Sequence, residues 1–370
     1  MKDQNSMTLR LHMNSESVQN SMKIQLTSFT KEGGVLCRRL RQELVNLGYE
    51  AEGCCKYATE DLMLLTEDIR THTKKAFEDC NAVIFIGAAG IAVRAIAPFI
   101  RSKDSDPAVL VIDEKGRYVI PVLSGHVGGA NSLAVRIAGI LSAQPVITTA
   151  TDINRKFAVD TWAEEQGCFI ANIENIKYIS AAILRGETVG LHSDFPVDGS
   201  LPEYIDTSDN AHTGICISRE YKQYFPHTLH LIPKQYVLGI GCRKNTAYEN
   251  LLEVVNSVLR SHGISACEVG AVASIDIKAG ERALIMLAKH LKIPFYTYPA
   301  QELSAVQGSF SQSDFVRETT GVDNVCERAA VNVGNGRLAA GKYSRSGITV
   351  AIAQKEWRCS FEDNTGIFGS

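Results

Sequence analysis

The chain has 370 residues, 45% of them hydrophobic and 21% charged, which is ordinary globular composition for two or three domains. Its formal net charge of -3 provides no electrostatic basis for nucleic-acid binding, and no basic run is visible. There are 10 cysteines but no C-x-x-C pair, no secretory signal and no apolar stretch of about 20 residues, so we expect a cytoplasmic protein with reduced thiols that is not bound to a membrane.

The first 21 residues are polar, and we expect them to form a disordered leader outside the fold. Over 22–151, apolar runs of strand type alternate with stretches of helical spacing, which is typical of an N-terminal doubly wound, flavodoxin-like parallel sheet. From Val83 to Asp152 the predicted order is strand, glycine turn, helix, two strands, a second glycine turn, helix and strand. Two earlier helices are predicted at 32–47 and 66–77.

Polar residues are concentrated in the turns that follow three of these strands. The first turn contains Gly87 and Gly90, whose small size lets backbone amides at a helix start approach an anionic group. Arg94 on the following helix can clamp a carboxylate, although a solvated arginine fits the pattern nearly as well. The second turn covers 124–131 and the third 148–152. Because ligands of parallel α/β sheets bind beyond the carboxyl ends of the strands, we expect the three turns to line one crevice.

Three residues of the second and third turns are candidates for catalysis. Ser124 is placed like a nucleophile elbow, but the glycine two positions before it is missing, so a turn or capping hydroxyl is the favoured interpretation. His126 fits a general base, an oxyanion donor, a ligand to a metal carried by the substrate or a helix-entry hydrogen bond. Asp152 fits an acid or base as well as a helix cap. The candidate binding residues of the second turn are Gly125, Gly128, Gly129 and Asn131.

The stretch 152–234 is less regular and is predicted to be a small middle α/β module. It has helical patterns at 159–166 and 176–184 and strand patterns at 188–191 and 214–218. Residues 233–235 are predicted to be a linker, and 235–370 a C-terminal α/β domain. Strands of that domain are predicted at 236–241 and near Ala271, Phe295, Leu338 and Val350, and its helices at 247–262, 281–291, 313–321 and 326–333.

Two glycine motifs of the C-terminal domain suggest nucleotide binding but fail on single residues. The string that starts at Gly239 begins like a dinucleotide fingerprint, but Lys244 occupies the place of the third glycine. The string 336–343 lacks the Ser or Thr of a phosphate loop, because Tyr343 stands there. Strand-to-helix junctions of the domain gather polar groups that fit either helix capping or substrate recognition. The candidate binding residues here are Cys242, Arg243, Ser274, Asp276, Lys278 and Glu281.

Several of these segments resemble one family, the cobalt-precorrin-5A hydrolases of anaerobic cobalamin biosynthesis. The resemblance rests on FIGAAGIAVR at 85–94, PVLSGHVGGAN at 121–131 and TTATD at 148–152. It continues in LGIGCR at 238–243, ASIDIK at 273–278 and GVDNVCE at 321–327. The match spans 22–353 in the family's order of N-terminal, middle and C-terminal modules, and ungapped strings of this length are far more specific than a single glycine motif.

The resemblance implies a hydrolase that opens the ring-A δ-lactone of cobalt-precorrin-5A with water and releases a two-carbon fragment as acetaldehyde, giving cobalt-precorrin-5B. Lactone opening requires an activated water and donors for the oxyanion, which His126 and the amides of 125–129 can supply. Release of acetaldehyde then requires a base, for which His126 and Asp152 are both candidates. Arg94, Arg243 and Lys278 fit the acetate and propionate carboxylates of the substrate.

Cobalt is expected to arrive within the substrate, so we expect no protein-held metal and no other cofactor. The expected partner is the small-molecule corrinoid precursor; neighbouring enzymes of the pathway and a homo-oligomer are compatible, whereas nucleic acid and membranes are not expected. Two other functions fit the sequence. One is a non-catalytic tetrapyrrole carrier of the same pathway, and the other is an enzyme that binds a nucleotide phosphate at 87–90.

Overall fold

The computed structural model describes residues 22–102, 105–125, 128–149 and 156–362, and the structural statements below concern these residues. They fall into two compact units. Among the described residues, the first unit comprises those up to Pro233 together with 358–362, and the second unit is Lys234–Trp357. No helix in the described ranges is long and apolar enough to cross a membrane.

The N-terminal domain of the first unit alternates strands and helices as predicted. Its strands are β1 (Lys23–Ser28), β2 (Glu50–Cys55), β3 (Met63–Leu64), β4 (Ala82–Ile86), β5 (Ala108–Ile112), β6 (Tyr118–Leu123) and β7 (Gln144–Pro145). Its helices are α1 (Lys31–Asn46), α2 (Ile69–Asp79), α3 (Ala89–Ile96) and α4 (Ala130–Leu141). The predicted order of elements from β4 to β7, with a glycine turn before α3 and another before α4, is confirmed.

These strands form one seven-stranded sheet in the order β3-β2-β1-β4-β5-β6-β7. Strands β1 to β5 are parallel, whereas β6 runs antiparallel to β5 and β7 is parallel to β6. The doubly wound α/β fold is thus confirmed, with one reversal of direction that the sequence analysis did not predict. The chain leaves β1 toward β2 on one side and returns to β4 on the other, so the topological switch point lies between β1 and β4.

Helix α1 shows how local sequence builds this domain. Thr30 precedes the helix in an extended conformation, and its hydroxyl accepts a hydrogen bond from the Gly33 amide, which caps the helix start. Cys37, Leu40 and Leu44 recur at helical spacing and are fully buried against the sheet. Burying each leucine contributes about 1.5–3 kcal/mol of transfer free energy. The helix therefore covers one face of the sheet and presents its first turn to the carboxyl end of β1.

In its described residues, the middle module has a five-stranded sheet, a sixth strand (β10) outside that sheet, and two helices. Its strands are β8 (Cys168–Ile170), β9 (Val189–Ser193), β10 (Val197–Asp198), β11 (Ile205–Asp206), β12 (Thr213–Ile217) and β13 (His227–Pro233), and its helices are α5 (Val159–Glu165) and α6 (Ile176–Leu184). The sheet order is β11-β9-β12-β13-β8, with β8 antiparallel to β13. Strand β13 was not predicted, because two histidines and two flanking prolines obscure its apolar alternation.

The second unit is the predicted C-terminal α/β domain. Its strands are β14 (Tyr236–Cys242), β15 (Val269–Ile275), β16 (Phe295–Tyr298), β17 (Arg337–Arg345) and β18 (Ile348–Gln354), and its helices are α7 (Tyr248–Ser261), α8 (Arg282–Leu291), α9 (Ala300–Ala305), α10 (Asp314–Thr320) and α11 (Val325–Asn332). The sheet order is β16-β15-β14-β18-β17, and β14, β15 and β16 are parallel. Every predicted strand and helix of this domain is present.

Gly239 brings β14 and α11 into direct backbone contact. A Cβ at this position would lie 1.8 Å from the carbonyl oxygen of Cys326 and 2.8 Å from the Cβ of Ala330. The glycine that resembles the start of a dinucleotide fingerprint is therefore required by helix packing within the domain.

The end of the chain returns to the middle module. Strand β19 (Cys359–Ser360) pairs in parallel with β10, and the ring of Phe361 stacks on Trp162 with centroids 4.6 Å apart. The Trp162 indole N–H also donates to the carbonyl of Ser360 at 3.0 Å. Residues 358–362 were predicted to belong to the C-terminal domain, and they pack with the first unit instead.

We expect Gly239→Ala to lower the free energy of unfolding of the second unit by about 1–3 kcal/mol or more, because the added methyl group overlaps the Cys326 carbonyl. Urea denaturation followed by circular dichroism measures the change.

Gly280→Ala is the matched control, because a Cβ at Gly280 meets nothing within 4 Å and the substitution should stay within about 0.5 kcal/mol of wild type. Equal unfolding midpoints for both variants would contradict the close approach at Gly239.

Candidate active site

The carboxyl edge of the N-terminal sheet at the switch point is formed by the ends of β1 and β4. Gly87 follows β4 with a φ of 153°, and the ring of Phe29 lies 3.1 Å from the position that its Cβ would take. A Cβ at Gly33 would meet Thr30 Oγ1 at 3.0 Å and the carbonyl oxygen of Ile86 at 3.6 Å. The start of α1 thus closes directly on the end of β4, and small residues are required on both sides of this edge.

Arg94 extends over the first turn of α3. Its guanidinium Nη1 lies 3.5 Å from the place where a Cβ of Gly90 would be. The side chain is exposed, and within the described ranges it has no carboxylate partner. A helix N-terminus carries a partial positive charge, so a cation placed there has no favourable interaction with the helix itself. An anion bound at this edge would interact with both the guanidinium and the first amides of α3.

The described parts of the second glycine turn, 124–125 and 128–131, lie at the opposite edge of the same sheet. Leu123 at the end of β6 pairs with Val109, which pairs with Val83 near the beginning of β4. Gly87 is four residues beyond Val83, a separation of about 13 Å along the strand. The expectation that the three polar turns line one crevice is therefore wrong, because β6 is antiparallel to β5.

Ser124 holds its own turn together. Its φ is 58°, and its hydroxyl donates to the carbonyl oxygen of Asp106 at 3.0 Å. The carbonyl oxygen of Ser124 accepts the Ala130 amide at 3.0 Å, at the start of α4. A Cβ at Gly128 would lie 2.2 Å from the Cβ of Ser124, so this glycine is required by the packing of the turn. These contacts agree with the turn and capping interpretation of Ser124.

Asn131 connects the second and third turns. It is buried, and its Nδ2 donates to the hydroxyl of Thr149 at 2.9 Å. A Cβ at Gly125 would lie 2.9 Å from the Asn131 Oδ1, and Gly129 precedes α4 with a φ of 73°. The structure thus brings together the described parts of the second and third predicted turns through the contact of Asn131 with Thr149. His126 and Asp152 lie outside the described residues.

The C-terminal domain has a corresponding edge at the carboxyl ends of β14 and β15. Lys278 Nζ lies 3.4 Å from a carboxylate oxygen of Glu281, and their side chains are only 16% and 6% exposed. Burial raises the pKa of the neighbouring Cys242 thiol, and the Lys278 charge opposes that shift. The Ser274 hydroxyl is buried and donates to the Ile240 carbonyl at 2.6 Å. These groups form a buried ionic and hydrogen-bonded cluster at the edge.

Two further predicted residues of this edge are exposed. Asp276 accepts the amide of Ile277 through Oδ1 at 2.7 Å and otherwise faces outward. Arg243 runs along Gly347, where a Cβ would meet its Nε at 2.7 Å, and it has no carboxylate partner within the described ranges. Arg243 is therefore an available cation of this edge, whereas Lys278 is already paired.

The motif at 321–327 is structural. Glu327 is buried, and its carboxylate accepts the amides of Ser311 and Lys342 at 2.8 and 2.7 Å and the Asn324 Nδ2 at 2.8 Å. Asn324 in turn caps α11 by accepting the Glu327 amide at 2.9 Å. One buried carboxylate thus joins a loop, a helix and a strand, which explains the polar residues of this string without a ligand.

One Ser–His pair was missed by the sequence analysis. Ser218 Oγ lies 2.9 Å from His230 Nε2 and donates its proton to the Glu220 carbonyl at 2.7 Å. Because the hydroxyl proton is already used, Nε2 must carry a proton and donate to the serine. Burial lowers the pKa of His230, so the ring stays neutral. This arrangement supports the core and is not a nucleophile–base pair.

We expect Ser124→Ala to lower the free energy of unfolding by about 1 kcal/mol, because the Asp106 carbonyl loses its hydrogen-bond donor.

A serine-reactive fluorophosphonate should not label Ser124 of the wild-type protein, because the hydroxyl is buried and already donates a hydrogen bond. Urea denaturation of Ser124→Ala measures the change in stability, and mass spectrometry of the treated wild-type protein measures the labelling. Labelling at Ser124 would restore the nucleophile interpretation.

Comparison with known proteins identifies the family. The description "Cobalamin synthesis G N-terminal" matches residues 71–152, "Cobalamin biosynthesis central region" matches 157–233, and "Cobalamin synthesis G C-terminus" matches 236–353. The chain is 34% identical to the cobalt-precorrin-5A hydrolase of Salmonella typhimurium, over 89% of this chain and 97% of the relative. It is 31% identical to the enzyme of the same name from Priestia megaterium, over 80% and 84%.

A solved structure of a cobalamin biosynthesis protein G homolog from Sulfolobus solfataricus is also similar, with 23% identity, coverage of 90% of this chain and 97% of that chain, and a TM-score of 0.40. The matches to family models and relatives cover all three predicted modules in the predicted order. The chain therefore belongs to the cobalamin synthesis G family, whose curated relatives are named cobalt-precorrin-5A hydrolase.

Proposed function

We propose that this protein hydrolyses cobalt-precorrin-5A: water opens the ring-A δ-lactone, and acetaldehyde leaves to give cobalt-precorrin-5B in anaerobic cobalamin biosynthesis. The observation that carries the proposal is the 34% identity to a relative of that name over 97% of the relative's length. Similarity that extends through all three modules favours the hydrolase over the carrier of the same pathway that the sequence also allowed.

The described residues supply groups that suit such a substrate. A corrinoid precursor carries several acetate and propionate carboxylates, which a guanidinium binds through charge-assisted hydrogen bonds. Arg94 and Arg243 are exposed arginines without carboxylate partners in the described part of the chain, and each lies near the carboxyl ends of parallel strands. The amides at the start of α3 add donors that can bind a carboxylate or stabilise an oxyanion.

Two edges of the N-terminal sheet offer groups to the bond that is hydrolysed. One edge carries Gly87, Gly90 and Arg94, and the other carries Ser124 and Asn131. The roles of His126 and Asp152 as proton-transfer groups stay predictions, as does a role of Ser124 in catalysis.

The substrate brings its own cobalt, and the reaction proceeds without a further cofactor in the cytoplasm. Hydrolysis needs only water as a second reactant, and no nucleotide motif of the sequence is intact. The corrinoid precursor is the partner on which the protein acts, with neighbouring enzymes of the pathway or a second copy of the chain as compatible further partners.

Incubation of the purified protein with cobalt-precorrin-5A tests the function. The expected result is a corrinoid lighter by the two-carbon fragment, together with trapped acetaldehyde, in the absence of added nucleotide or metal. Tight binding without acetaldehyde would leave the carrier as the function, and an absolute requirement for a nucleotide or a chelatable metal would contradict the cofactor-free reaction.

We expect Arg94→Ala to raise the KM for cobalt-precorrin-5A about tenfold to a hundredfold, because a charge-assisted hydrogen bond contributes about 1.5–3 kcal/mol. Steady-state kinetics of acetaldehyde release measure the change.

Arg38→Ala is the control, because Arg38 is exposed on the same domain and pairs with Glu60 at 2.7 Å. The same KM for both variants would argue against substrate binding by Arg94.

A further inference from the structure

The turn between β5 and β6 carries two neighbouring carboxylates with different surroundings. Asp113 is committed to the turn: its Oδ1 accepts the amides of Arg117 and Tyr118 at 2.6 and 2.7 Å. Glu114 instead reaches across the sheet edge, and its Oε2 accepts the Thr30 hydroxyl at 2.9 Å. Its second oxygen, Oε1, has no hydrogen-bond partner among the described residues. Glu114 is half-buried and is thus held in place while it keeps one acceptor oxygen available.

The contact with Thr30 places this carboxylate at the switch point. Thr30 follows β1 and Glu114 follows β5, and β4 lies between these two strands in the sheet. The side chain of Glu114 therefore bridges the end of β4, where the amide of Gly87 donates to the Ile112 carbonyl at 2.8 Å. The ends of adjacent strands are about 4.8 Å apart, so Glu114 lies at the same edge as the start of α3 with Gly90 and Arg94.

Resting on the proposed function, we infer that Glu114 is the general base that activates water for lactone opening, and that the reacting bond lies at the β1–β4 edge. The edge combines the three components that ester hydrolysis requires. Glu114 Oε1 is an oriented acceptor for a water proton, the first amides of α3 are donors for an oxyanion, and Arg94 is a cation for a carboxylate beside the lactone.

The proton balance closes without another reactant. Glu114 takes one proton from water while the water oxygen forms a bond to the lactone carbonyl carbon. The tetrahedral oxyanion collapses, the ring carbon–oxygen bond breaks, and the departing alkoxide takes the proton back from Glu114. The product is the hydroxy acid with one water added, and the carboxylate is regenerated for the next turnover.

The described residues of the opposite edge are used differently. The Ser124 hydroxyl donates a hydrogen bond to a carbonyl oxygen, and the Asn131 side-chain amide donates one to the Thr149 hydroxyl. Gly125 and Gly128 leave space for the packing of the turn. These groups hold the start of α4. At the β1–β4 edge, by contrast, Glu114 Oε1 and the Arg94 guanidinium remain available to a ligand.

Turnover by Glu114→Gln tests the inference, with Glu32→Gln as the matched control, because Glu32 is exposed on the first turn of α1 next to Thr30. We expect Glu114→Gln to lower turnover about 10²-fold or more and to leave the substrate with its lactone intact, while Glu32→Gln keeps wild-type turnover. Formate should restore turnover to Glu114→Ala without changing its unfolding midpoint. Mass spectrometry of the corrinoid and acetaldehyde trapping provide the readouts.

Turnover of Glu114→Gln within about tenfold of wild type would overturn the inference. A corrinoid product of Glu114→Gln that is one water heavier than the substrate would also overturn it, because the lactone would then have opened without the base. A loss of turnover in His126→Ala but not in Glu114→Gln would overturn it as well. If Glu114→Gln does not fold, Glu114→Asp replaces it as the test, because its carboxylate is withdrawn by one methylene. If Glu114 is the general base, Glu114→Asp lowers kcat. If Glu114 only binds Thr30, Glu114→Asp lowers the free energy of unfolding and leaves kcat unchanged. Absence of turnover in the wild-type protein would instead reject the proposed function.

Discussion

The hydrogen bonds that Asp113 accepts hold the β5–β6 turn, and the direction that β6 takes after this turn decides at which sheet edge the Ser124 turn lies. The Oδ1 of Asp113 accepts hydrogen bonds from the amides of Arg117 and Tyr118. Gly116 completes the turn with a φ of 67°, and its amide donates a hydrogen bond to the Asp113 carbonyl oxygen. Burial acts to raise the pKa of Asp113, but the bonds from the Tyr118 and Arg117 amides outweigh it and the pKa is lowered. The carboxylate is therefore charged at neutral pH and holds the hairpin.

This hairpin reverses β6 and divides the domain chemically. Without it, a crossover helix would make β6 parallel, and all polar turns would meet at one edge. With it, the Ser124 turn and Thr149 lie at one edge, while Gly87, Arg94, Thr30 and Glu114 lie at the other. The short β5–β6 turn reverses the direction of the chain and also contains Glu114, which it places at the switch point. The same turn therefore determines the strand direction and the composition of the candidate site.

The C-terminal domain depends on a different constraint, the close approach of α11 to β14. Gly239 permits it, and the buried carboxylate of Glu327 secures the helix to a loop and to β17. Asp323 adds an ion pair to Arg328 at 2.8 Å, and that bond holds the pKa of Asp323 below its usual range. Residues of this domain that resemble nucleotide-binding or catalytic motifs make packing contacts and hydrogen bonds within the domain. Arg243 is an exposed cation at the strand ends.

The sequence by itself determined the class of fold, the order of elements and the family. Apolar periodicity located α6 at its observed residues and the strands of the C-terminal domain, because burial of a strand or of a helix face is a local property of spacing. The five residues between Ile112 and Tyr118 also contained the signal for a hairpin, since parallel strands need a longer crossover. The tertiary structure alone decided which turns share an edge and which hydroxyls are already donated. It also showed that residues 358–362 return to the middle module and that Glu114 bonds to Thr30, 84 positions away, because such contacts depend on strand direction and long-range packing that residue types do not encode.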